Sequence, residues 1–191
     1  QRSAAIERVD DQMAAAPVGV FGNSHEKVSR KIHAIDAQAG TPTLPVSAGY
    51  DRDKKTLTLE IEQSMAPTPG QPRKKPMHIP VRVALIGRDG RELQATSVTG
   101  AEMTGDVIHL RETSQTVTFT GLTERPVPSI LRGFSAPVSL KSDLADEDLL
   151  FLAANDSDPF NRWAALQSVV MNALIAASAC VARQEPVTLP D

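Results

Sequence analysis

Thr56-Leu57-Thr58-Leu59-Glu60-Ile61-Glu62 alternates polar and apolar side chains without a break. Leu57, Leu59 and Ile61 share one face, and Thr56, Thr58, Glu60 and Glu62 share the other. That is the two-residue period of a half-buried strand. Beyond a proline-rich stretch, Ile79, Val81, Val83 and Leu85 repeat the alternation. Asp89-Gly90 then supplies a tight turn, because glycine takes positive φ at no steric cost. Residues 56–93 therefore read as two strands whose apolar faces need a second layer, which the flanking sequence must provide.

Working outward, Thr43 to Ala48 reads as a first strand and Gly49 to Lys55 as a polar turn. Asp51-Arg52-Asp53 resembles the start of a calcium loop, but the glycine and distal glutamate that such a loop needs are missing, so it too reads as turn. Met65 to Pro76 holds Pro67, Pro69, Pro72 and Pro76 around Arg73-Lys74-Lys75. No sheet interior takes that much proline. The segment reads as a solvated surface loop of polyproline character, and three bases without interleaved aromatics do not make a nucleic-acid patch. Glu92 to Val98 reads as another strand and Gly100 to Asp106 as a loop. Val107 to Glu112 and Gln115 to Leu122 are two further strands, Glu124 to Pro128 is a connection, and Ser129 to Leu140 is a last β region. About seven short strands without helix-length crossovers indicate a two-sheet sandwich. Leu57, Leu59, Ile61, Val81, Val83, Leu85, Phe119 and Phe134 are its expected core, each contributing roughly 1.5–3 kcal/mol if fully buried.

Helices flank this sandwich. Ser3 to Ala16 carries Ile6, Val9 and Met13 on one face, and a second helix starts near Ser24 with the stripe Val28, Ile32, Ile35. After Ser142 the chain turns helical again, with Asp146, Glu147 and Asp148 placed at a helix N-terminus. Asn155 to Asp158 breaks that helix. Asp158-Pro159 then opens a long one, with Asp as cap and Pro at the first helical position. It carries Phe160, Trp163, Leu166, Val169, Val170 and Leu174 and runs to about Arg183. Ala164 to Ala182 contains no charge and meets the membrane-span length. Its alanines, amides and hydroxyls and its lack of aromatic belts read instead as a helix buried in a helical domain. Three parts follow: an N-terminal helical segment over 1–38, a β-sandwich over 39–142, and the start of a helical domain over 143–191.

Composition excludes little else. With 191 residues, 41% hydrophobic and 23% charged, the chain is long enough to bury a core. A net charge of −3 and a pI near 5.8 supply no basic field for nucleic acid. The single Cys180 cannot form an intramolecular disulfide, suits a reducing compartment, and reads as a small buried hydrophobe. No charged segment followed by an apolar run marks a signal peptide. His25-Glu26 begins like a His-Glu-x-x-His zinc helix, but Ser29 stands where the second histidine is needed and His33 lies two turns away. His25, His33, His78 and His109 are scattered, and no nucleophile elbow or phosphate loop is visible. The sequence thus nominates no catalytic, cofactor-binding or metal-ligating residue.

Five blocks in order resemble the bacterial aminopeptidase N family of zinc metallo-aminopeptidases, also called alanyl aminopeptidases. They are Gln38-Ala39-Gly40-Thr41-Pro42; Leu57 to Gln63 followed by Met77-His78-Ile79-Pro80; Arg125-Pro126-Val127-Pro128; Phe134-Ser135-Ala136-Pro137-Val138; and Asn155-Asp156 through Phe160-Asn161-Arg162-Trp163. The resemblance they mark runs from about Gln38 to Pro190, about four-fifths of the chain. The resemblance implies the family's immunoglobulin-like β-sandwich between its zinc domain and its C-terminal helical domain, together with the first helices of the latter. The fold expectation is therefore mainly β, with N-terminal and C-terminal helices around a seven-stranded sandwich. The family's zinc motif is absent. Gly100-Ala101-Glu102-Met103-Thr104 only superficially matches its Gly-Ala-Met-Glu-Asn motif, with the order scrambled, and reads as coincidence.

The functional expectation is a non-catalytic spacer between a catalytic and a helical domain, with no zinc or other cofactor of its own; zinc belongs to the parent family. Its expected partners are the remaining domains of a parent peptidase, or a second copy through the Phe160 to Val181 helix. Neither nucleic acid nor membrane is expected, and the resemblance implies a cytoplasmic setting. The alternative is a stand-alone sandwich module for protein interaction, completed by residues 1–37 packing on the C-terminal helix.

Overall fold

A computed structural model describes residues 38–187. The N-terminal helices expected before Gln38, with His25 and His33, lie outside the described residues. Among the described residues ten strands precede two helices: β1 Thr43–Asp51, β2 Thr56–Glu62, β3 Ile79–Ile86, β4 Glu92–Leu93, β5 Ser97–Thr99, β6 Glu102–Thr104, β7 Val107–Leu110, β8 Ser114–Thr120, β9 Val127–Ile130 and β10 Ser139–Ser142, then α1 Asp146–Asn155 and α2 Pro159–Ala182. One sheet runs β10-β1-β2-β8-β5. The other runs β4-β3-β7-β6, with β9 also paired to β3, and neither closes on itself.

The alternating strand Thr56–Glu62 sits where its pattern places it. β2 lies between β1 and β8, with Leu57 opposite Tyr50 and Phe119 and Leu59 opposite Ala48 and Val117. Its apolar face meets Ile79, Val81, Val83, Leu85, Ile108 and Leu110 from the second sheet in one core. Seven of the eight expected core residues are buried there. Phe134 is the exception at 53% exposed. It belongs to a 3₁₀ turn, Arg132–Phe134, in which Leu131, Gly133 and Phe134 take φ of 63°, 60° and 51°. This left-handed run turns Arg132 inward and leaves Phe134 at the surface.

Three other expectations change. Glu92 to Val98 is not one strand, because β4 pairs with β3 while β5 crosses to pair with β8 in the other sheet. The Gly100 to Asp106 loop contains β6, paired with β7. Residues 127–130, expected to divide between the end of a proline-marked connection (to Pro128) and the start of the last β region (from Ser129), form one strand, β9. This strand pairs only with β3, so Pro128 interrupts no central ladder. All four β9 residues are buried, because the sandwich covers one face and α1 the other.

α1 closes a second, smaller core. Leu149 and Leu152 pack with Ala84 and Ile86 of β3, Val127 of β9 and Ala165 of α2. The Val83-Ala84-Leu85-Ile86 run thus feeds both layers, as expected of a strand covered on both faces. α2 does not meet its expectation of burial. Only Asn161 and Ala165 are buried, while Trp163, Leu166, Met171, Leu174 and Ile175 are exposed. Its length and composition would allow it to cross a membrane.

Candidate functional site

The most developed polar constellation lies where the sandwich meets the helices. It is assembled from the 3₁₀ turn, the start of β4, the buried strand β9 and the α1–α2 link. Arg132 Nη1 donates to Glu92 Oε1 at 2.8 Å, and Nη2 donates to Asp156 Oδ1 at 3.1 Å and to Ser157 Oγ. Ser157 Oγ donates to the same Glu92 oxygen at 3.0 Å. Ser129 Oγ donates to Asp156 Oδ2 and accepts from Asn161 Nδ2 at 2.7 Å. Asn161 Nδ2 also donates to Ile130 O at 2.9 Å. Asp156 Oδ1 accepts from the Asp158 amide, and Asp158 caps α2 by accepting from the Asn161 amide. One link residue thus satisfies the arginine and a β9 hydroxyl, while the next capping position starts the helix.

The electrostatics follow from this geometry. The hydrogen bond from Arg132 holds the Glu92 carboxyl below its ordinary range, against the upward pull of burial. Burial alone would lower the Arg132 guanidinium. The bond to Glu92 and the charges of Asp156, Glu92 and Asp158 outweigh it and hold the group above its ordinary value. Every acid near the arginine is therefore engaged in charge pairing or capping. The arrangement locks two layers together and presents no nucleophile–base pair.

Beside the joint, a groove of 580 Å³ runs between α2 and the β9–β10 side of the sandwich, lined by Ile130, Leu131, Val138, Leu140, Ala164 and Met171 among others. At its end Phe134 meets Phe160 edge-on with ring centroids 5.5 Å apart, and Phe160 meets Trp163 at 6.1 Å. The helix thus offers an apolar surface rather than a lined reaction pocket.

The other residues singled out by sequence fall as follows. Asp51 accepts from the Asp53 and Lys54 amides, a turn held by its own side chain, and the Lys54 amide keeps its carboxyl below the ordinary range. Lys74 in the proline-rich loop is not a displayed base, since its Nζ donates to Ala39 O, Thr68 Oγ1 and Gln71 Oε1 and pins the loop. Cys180 is half-buried on α2 rather than buried. Gly100 and Glu102 lie at the β6 end of the sandwich, not in a catalytic cleft. Two of the scattered histidines are brought together: His78 Nε2 lies 3.0 Å from His109 Nδ1. No sequence spacing announced the joint or the histidine pair, because partners such as Glu92 and Ser157 are 65 residues apart.

Comparison with known proteins locates this arrangement. Residues 40–143 match the family described as a domain of unknown function, DUF3458, with an Ig-like fold, and residues 146–191 match its C-terminal partner, described as ARM repeats. The chain is similar to aminopeptidase N of Escherichia coli, 32% identical over 154 residues, covering 81% of this chain and 18% of the relative. It is similar to the Haemophilus influenzae enzyme at 40% over 131 residues, covering 69% and 15%, and to that of Caulobacter vibrioides at 40% over 142 residues, covering 74% and 15%. The chain thus spans less than a fifth of the length of these curated relatives. The fold is shared with the crystal structure of Legionella pneumophila aminopeptidase A in complex with aspartic acid, at TM-score 0.62 and 24% identity, covering 84% of this chain and 16% of that one.

Proposed function

This chain belongs to the DUF3458 family, and on that premise we propose that it is the non-catalytic brace of an aminopeptidase N-like enzyme. The sandwich spaces a catalytic domain from a helical one, and the joint sets the angle at which the helices leave. The observation that carries this reading is α2, anchored by Asp158, Asn161 and Ala165 at one end while its apolar length stays open. Helical repeats bury their hydrophobic faces only by stacking on neighbours. The open face therefore suits further helices of a parent protein in a cytoplasmic setting, and in their absence a second copy of the chain.

Hydrolysis of an alanyl chromogenic anilide by the chain, with and without added zinc, tests the non-catalytic half of the proposal. No turnover is expected in either condition, and zinc-dependent turnover would overturn it. The bracing half is tested by exchanging residues 40–182 for the matching segment of full-length Escherichia coli aminopeptidase N. The chimera should retain peptidase activity. A folded chimera that binds zinc but has lost turnover would mean that this region contributes reacting groups.

A further inference from the structure

We propose that the open edge of β10 and the groove beside it bind an extended acidic peptide of a partner protein, added to the sheet as a further strand. β10 ends its sheet, paired on one side with β1 and, among the described residues, with no strand on the other. The Ser139 amide donates to Pro42 O at 2.8 Å and the Asp143 amide to Val46 O at 3.2 Å. Main-chain groups alternate between the two sides of a strand, so Ser139, Lys141 and Asp143 face β1. The N–H and C=O of Leu140 and Ser142 therefore face away from it. They border the groove, because Leu140, Lys141 and Ser142 all line it. Successive side chains point to opposite faces of a sheet. Three residues in a row share one lining only where a strand shows its edge.

The opposite wall is a separate stripe of α2. Ala164, Gln167, Ser168, Met171, Asn172 and Ile175 line the groove, whereas Trp163, Leu166, Val170 and Leu174 do not. The inference thus goes beyond the brace, whose stacking helices take the second, wholly apolar stripe. The side-chain amides of Gln167 and Asn172 suit an extended chain, which brings main-chain groups on its far edge; a helix keeps its own bonded. Charge defines the occupant further. Among the described residues that line the groove, Lys141 alone is charged. In antiparallel pairing, the more stable kind, Leu140 and Ser142 each exchange two hydrogen bonds with the residue opposite. Lys141 then falls at the non-hydrogen-bonded position between them, where facing side chains come closest. An acidic residue there pairs with its ammonium group. The residues flanking that acid point the same way as Leu140, which packs on the sandwich core, so they are apolar. Apolar–acidic–apolar is the motif that fits. A second β10 does not fit, because the register that bonds both open residues sets Lys141 against Lys141.

Fluorescence anisotropy of a labelled Ser-Thr-Val-Glu-Val-Thr-Ser peptide with the whole chain tests the site. Binding should saturate at one peptide per chain, and replacing the central Glu by Lys should weaken it about tenfold. Lys141→Glu, an exposed substitution checked by an unchanged unfolding midpoint, should reverse that preference. N-methylation of the two valines, whose N–H groups face β10, should weaken binding about tenfold or more. Equal affinity for the Glu and Lys peptides, indifference to N-methylation, or no binding at all would overturn the proposal. So would dimers that form only when the unmodified chain is mixed with the Lys141→Glu variant, which would assign the edge to a second copy.

Discussion

Arg132 and Asp156 face each other with side chains 10% and 0% exposed. A buried pair of this kind is costly to break from one side, because the survivor keeps its charge without compensation. Arg132→Met should therefore lower stability by about 3–5 kcal/mol in urea unfolding. The Arg132→Met/Asp156→Asn double variant should recover part of that loss, since no buried charge remains. Glu92 sits on the wetter side of the same network and contributes differently. Its carboxyl titrates below its ordinary value when folded. Its stabilising effect is thus full above the ordinary carboxylate range and is lost as pH falls through the depressed folded value. The urea midpoint of Glu92→Gln should lie below that of the unmodified chain at pH 7 and converge on it in acid. Exposure keeps the difference small. None of this was legible in Leu131-Arg132-Gly133-Phe134 read as part of a β region. The left-handed backbone that turns Arg132 inward and Phe134 outward arises from long-range partners, and those have no local spacing.

At the scale of elements, what sequence predicted best was periodic. β2 and the alternating apolar residues of β3 follow their two-residue pattern into a shared core. The Asp158-Pro159 start of α2 follows capping chemistry, which is equally local. What it missed were elements defined by a partner: the two-residue β4, the sheet change between β4 and β5, and the start of β9 at Val127. Glycine marks one such place. At Gly100 φ is +91°, and an added Cβ would stand 1.8 Å from the Thr116 carbonyl oxygen. The backbone of the β5–β6 turn approaches β8 too closely for any side chain. Gly100→Ala should cost about 3 kcal/mol or more, combining backbone strain with a contact that only backbone movement can relieve. Loss of amide-exchange protection should appear first in β5 and at Thr116–Thr120.

For the molecule as a whole, the core between the two sheets is closed, while most of α2 is left uncovered. Leu174 and Ile175 are 58% and 61% exposed on a helix without charge along most of its length. Contiguous apolar surface of this kind favours association. Sedimentation should show concentration-dependent oligomers of the chain, and Leu174→Glu/Ile175→Glu should render it monomeric without moving the unfolding midpoint of the sandwich. A monomer at all concentrations would mean that something else covers the helix. The sequence announced the apolar character of this helix, but not which surface covers it, since composition is blind to neighbours.

The first and last strands of the sandwich lie side by side and run parallel, with Thr43 opposite Ser139 and Val46 opposite Ser142. Tension entering at Thr43 and leaving at Ser142 therefore pulls along these strands in opposite senses. It loads their hydrogen bonds together in shear, whereas a terminal hairpin would peel open one bond at a time. The parallel pairing of these two strands thus sets the sandwich to resist force in shear along the line on which the chain enters and leaves it.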